Sequence, residues 1–83
     1  MKPAGPRQKL LSRRTIGALG ALEASVQELG THRGEALRLF LASRNAATAT
    51  AQREFWLEFS WIDQEYRAAV RRLAQFCSEQ AGR

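Results

Sequence analysis

Apolar residues recur at alternating steps of four and three through the C-terminal half of the chain: Phe55, Phe59, Ile62, Tyr66, Ala69, Leu73 and Phe76. This is a heptad repeat, with Gln80 next in register, and it predicts an amphipathic helix over about 50–80. Extended backwards, the same register meets Ala51, Thr48, Arg44, Leu41 and Leu37, so a single helix from about 34 to 80 is an alternative. A second stripe, Ile16, Leu19, Leu22, Val26 and Leu29, predicts a helix over about 15–29, with Thr15 or Ser12 as its N-cap. Gly30 stands where a C-terminal cap is expected, and Thr31 can cap a further helix over about 33–45, with Leu37, Phe40 and Leu41 on its apolar face. Gly17 and Gly20 weaken the first helix and permit close approach of another. No segment alternates with a period of two between turns. The expectation is an all-α fold: a small helical hairpin or three-helix bundle with a long, heptad-patterned C-terminal helix.

The last helix carries a second apolar face. Stepping 100° per residue from Phe55 at 0°, Phe59, Ile62, Tyr66 and Leu73 fall within about 40° of it. Trp56 falls near 100°, at the edge of the stripe, and Leu57, Trp61 and Ala68 face away from it, between about 200° and 240°. A helix apolar on two faces is either sandwiched within its fold or offers a surface to a partner. The candidate partner-binding residues are therefore Phe55, Trp56, Leu57, Phe59, Trp61, Ile62 and Tyr66. The partner is another protein, a second copy in a homodimer, or both. The expected function is a non-enzymatic interaction module: an adaptor, an inhibitor or a small chaperone.

Length bounds this picture. With 83 residues the chain holds one domain, and its core is thin. Residues 1–14 read as a basic flexible tail, because Pro3, Gly5 and Pro6 oppose regular structure, and residues 15–83 as the helical domain. The net charge is +5, unevenly spread: residues 1–30 carry +3, residues 31–47 carry +2, and the rest is neutral. A basic N-terminal half can contact nucleic acid phosphates without sequence preference, or serve only as a solvated tail. The first 22 residues contain no acid, a composition shared with organellar transit peptides.

The residue inventory disfavours enzymes. One Cys, Cys77, and one His, His32, cannot supply the four ligands of a structural zinc within one chain, and no Gly-rich phosphate loop is present. Cys77 and His32 could pair as nucleophile and base, but nothing beside either supports that, and Cys77 reads as a small hydrophobe. No metal or cofactor is expected. The apolar runs are too short to span a bilayer. A lone Cys fits a reducing compartment, so the expected location is cytoplasmic.

A runner-up reading rests on residues 22–38, LEASVQELGTHRGEALR. The segment resembles a helix-turn-helix, in which a helix ending in Leu-Gly turns tightly into a recognition helix. Leu29, Gly30, Ala36 and Leu39 match the expected core and turn positions; Ser25, Val26 and Thr31 depart from them. The resemblance implies a small dimeric DNA-binding regulator, with His32, Arg33, Glu35 and Arg38 directed towards the major groove.

Overall fold

The computed structural model describes residues 12–46 and 48–82. Two helices, α1 (Arg13–Ala46) and α2 (Ala49–Ala81), pack against each other as an antiparallel hairpin, with no strand among the described residues. At 34 and 33 residues they match in length, each about 50 Å long. The register is constant. Arg33 meets Asp63, a Cβ placed on Gly30 would meet Tyr66, and Phe40 meets Trp56, and each pair of residue numbers adds to 96.

Local chemistry sets the ends. Ser12 caps α1: its Oγ accepts from the Thr15 amide at 3.1 Å, and its carbonyl accepts from the Ile16 amide at 2.9 Å. Ser12, the earlier of the two expected caps, fills the role, and Thr15 Oγ1 accepts from its hydroxyl. Residues 1–11 of the expected basic tail lie outside the described residues, while Arg13 and Arg14 belong to α1. Thr48 caps α2 from an extended backbone, with its Oγ1 accepting from the Ala51 amide at 3.2 Å. With α1 ending at Ala46 and Thr48 extended as the cap of α2, the continuous helix from 34 to 80 is not formed, although the heptad register runs on through Thr48.

The structure departs from the expected three helices at Gly30. No helix ends there, and α1 runs unbroken from Arg13 to Ala46. Thr31 does not cap a new helix; its hydroxyl bonds back to the Gln27 carbonyl at 3.1 Å, inside the helix. Gly30 serves packing instead. A Cβ there would lie 3.3 Å from Tyr66 Cε1, so the missing side chain lets the Tyr66 ring approach α1. No such approach occurs at Gly17 or Gly20, where a Cβ would meet nothing within 4 Å. Without a turn at 29–33, residues 22–38 are not a helix-turn-helix.

The interface between the helices is thin. Phe59, Ala69, Ala36 and Ser43 are buried, and no large side chain is fully buried among the described residues. The remaining heptad positions of α2, from Phe55 to Gln80, are half-buried against α1, as are Leu19, Leu22, Val26 and Leu29 opposite. Ile16 leaves the predicted stripe and is exposed. No described helix is long and apolar enough to cross a membrane.

Candidate protein-docking surface

The hairpin divides the seven candidate partner-binding residues among three environments. Phe59, only 9% exposed, is core, and Phe55, Ile62 and Tyr66 sit half-buried beside it facing α1. Trp56 lies on one flank, tilted against Phe40 at 5.3 Å and against Phe59 at 5.6 Å between ring centroids, with 46% of its surface exposed. Leu57 and Trp61, 58% and 64% exposed, stand one turn apart on the side of α2 away from α1. The two faces deduced from the 100° step are thus both present, and only the inner one is covered. Leu41, expected on an apolar helix face, is 46% exposed, and Leu39, expected in the core of a helix-turn-helix, is 48% exposed. Leu39, Leu41, Trp56, Leu57 and Trp61 all belong to the half of the hairpin nearest its turn, where apolar surface is concentrated.

The Trp56 flank is sealed by charge further along. Arg33 Nε donates to Asp63 Oδ1 at 2.6 Å, and Arg67 Nε donates to Asp63 Oδ2 at 2.8 Å. The Arg33 guanidinium spans the gap between helices, 5.3 Å from the Phe59 ring centroid and 5.5 Å from that of Tyr66. Both distances suit a cation over an aromatic face. Arg33 in particular, then Arg67, holds the Asp63 carboxyl below its ordinary value of 3.8. A depressed folded value means the pair stabilises the fold above the unfolded pKa, and that contribution disappears as pH falls through the folded one. The melting-temperature difference between the natural protein and Asp63→Asn should therefore narrow as pH falls below about 4. Thermal melts by circular dichroism across that range test this; a constant difference would mean that the Asp63 ion pairs do not stabilise the fold.

The opposite flank holds a groove of about 260 Å³. His32, Glu35, Ala36 and Leu39 line it from α1, and Phe55, Glu58 and Ile62 from α2.

The four residues assigned to DNA reading are scattered by the continuous helix. Arg33 points into the hairpin interface and His32 lines the groove, while Glu35 and Arg38 pair with each other on the surface at 3.4 Å. They do not form one solvent-facing recognition surface. Cys77 is exposed near the far end of α2 and is not brought to His32. No group of three or more His, Cys, Asp or Glu side chains suited to a metal ion occurs among the described residues.

The Asp63–Arg67 pair, four residues apart on α2, follows from the sequence spacing and is present, whereas sequence reasoning missed the groove and the Arg33–Asp63 bridge, since both depend on which residue of α1 faces which residue of α2. Comparison with protein-family models, with curated proteins and with solved structures gives no match for this chain.

Proposed function

We propose that the chain is a non-enzymatic helical docking module that binds a protein partner, its own copy, or both, through the aromatic segment of α2. The observation that carries this reading is the pair Leu57 and Trp61, the two most exposed large apolar side chains among the described residues. Exposed neighbours of this size cost solvation free energy that a docked surface recovers. Trp is also well suited to anchor an interface, because it buries a large area for the loss of few rotamers. The thin core supports the same reading, since a partner that binds only the folded state adds to its stability. Roles as an adaptor, an inhibitor or a small chaperone all fit such a surface.

Trp61→Ala tests it. The substitution should leave helix content and melting unchanged, because the side chain touches solvent rather than α1. It should weaken association by about 2 kcal/mol or more if Trp61 is the anchor. Light scattering after size exclusion, over a range of concentrations, reads self-association. If the natural protein stays monomeric throughout, the comparison moves to proteins retained by the natural chain and released by Trp61→Ala. Unfolding of Trp61→Ala, or association and retention unchanged by it, removes the proposed surface.

A further inference from the structure

We infer that the groove on the Leu39 flank is a docking site for a cationic amphipathic helix of a partner protein. The inference extends the docking reading to a second surface, distinct from Leu57 and Trp61, and the two can fail separately.

The floor of the groove is mostly apolar, made by Ala36, Leu39, Phe55 and Ile62, with His32 beside them on α1. Its rims are acidic. Glu35 stands on the α1 rim and Glu58 on the α2 rim. Seven residues are almost two whole turns, so Glu28 continues the first rim and Glu65 the second, and the acidic stretch ends where the next such step on α2 brings Arg72. All four are exposed. The antiparallel register orders them along the groove: Glu58 lies level with position 38 of α1 and Glu65 with position 31. The four residues therefore come from alternate helices, in the order Glu58, Glu35, Glu65, Glu28, at backbone levels about 5 Å apart, close to one helical turn. Among the described residues Glu28, Glu58 and Glu65 enter no ion pair, and Glu35 has only the long contact from Arg38.

This arrangement occurs in a chain whose net charge is +5. No Lys or Arg lines the groove, whereas the opposite flank carries Arg33, Arg67 and Arg71. A helix laid in the groove would place an apolar stripe on the floor at i, i+3, i+4 and i+7. Lys or Arg on its two shoulders would meet carboxylates at each turn. The site thus selects a segment by charge and by period together, and the docked complex is a three-helix bundle.

The probe is a fluorescent helical peptide of about five turns built from Leu and Lys with one apolar face. Fluorescence anisotropy measures its binding to the full chain at low and high salt. Two controls accompany it: a Leu and Glu peptide of the same pattern, and an Ala and Lys peptide without the apolar stripe. The Leu and Lys peptide should bind and both controls should not, and binding should weaken as salt rises. Joint replacement of Glu35, Glu58 and Glu65 by Gln should weaken it roughly tenfold. Leu39→Ser should weaken it roughly tenfold by removing apolar floor, and both variants should keep natural helix content. Trp61→Ala should leave it unchanged.

Four results would overturn the inference. Equal binding of the Ala and Lys peptide would mean non-specific charge attraction. Loss of binding in Trp61→Ala alone would move the site to the outer face of α2, leaving the docking reading intact. Displacement of the probe by a peptide of residues 1–14 at lower concentration would make the occupant this chain's own basic segment. A dimer, formed without peptide and broken by Leu39→Ser, would make it a second copy.

Discussion

Phe59→Ala is expected to leave most of the protein unfolded at room temperature. Phe59 is the only large side chain classed as buried among the described residues, and it is contacted from several sides. Trp56 leans on its ring from α2, and the Arg33 guanidinium from α1 lies over its face. Truncating a core Phe costs about 3–5 kcal/mol, through lost burial and the cavity left behind. A domain this small seldom has more than about 3–5 kcal/mol of stability from its core. The substitution therefore removes most or all of the margin. Urea titration followed by circular dichroism at 222 nm, a wavelength that reports helix content, measures the cost. A loss below about 1 kcal/mol would show that the half-buried heptad residues on either side hold the hairpin without Phe59.

The second large effect runs in the opposite direction. Gly17, Gly20 and Gly34 all lie inside α1, and a Cβ at any of them would meet nothing within 4 Å. Each loses backbone freedom on folding with no packing gain in return. Changing all three to Ala should add about 2 kcal/mol, allowing less at Gly17 near the helix start. In a domain of this size that raises the melting temperature by roughly 10 °C. Gly30→Ala is the internal comparison. Its new methyl group would stand 3.3 Å from Tyr66 Cε1, so part of the helix-propensity gain is offset by displacing the ring. The gain at Gly30 should accordingly fall below that at Gly34, its nearest counterpart. Equal gains would mean that the Tyr66 ring shifts freely.

The heptad spacing from Phe55 to Phe76 was enough to define α2, its inner face and the outward direction of Leu57 and Trp61, because a long helix keeps its angular register. Thr48, which caps α2, is a hydroxyl-bearing residue just ahead of that periodic run, the kind of residue that accepts a first-turn amide. The continuity of α1 was not legible. Leu29-Gly30-Thr31 carries the local signals of a stop and a restart, and those signals ignore the neighbour. Tyr66 makes Gly30 a packing residue, and the ring that does so comes from 36 positions away. A length argument points the right way: a helix as long as α2 needs a cover of equal length, which helices over 15–29 and 33–45 supply only when fused. The groove and the Arg33–Asp63 bridge stayed hidden because the alignment of the two helices is fixed by contacts summed along their whole length, whereas the Asp63–Arg67 pair within α2 needed only the four-residue spacing. Once a single facing pair such as Phe40 and Trp56 is known, the others follow from the constant register.

The hairpin also has a mechanical polarity. Residues 12 and 82 lie at the same end of the molecule, opposite the junction between Ala46 and Ala49. A pulling force between them would not shear the helices past one another. It would peel them apart, loading one turn of contacts at a time, beginning with the pairs around Leu19 and Phe76. Resistance would rise where Arg33 bridges to Asp63 and where Phe59 is buried. The short-range contacts beside Thr48 would release last. Reversed, the same geometry lets the hairpin close like a zip from its turn, each added pair requiring only a slightly longer loop than the one before.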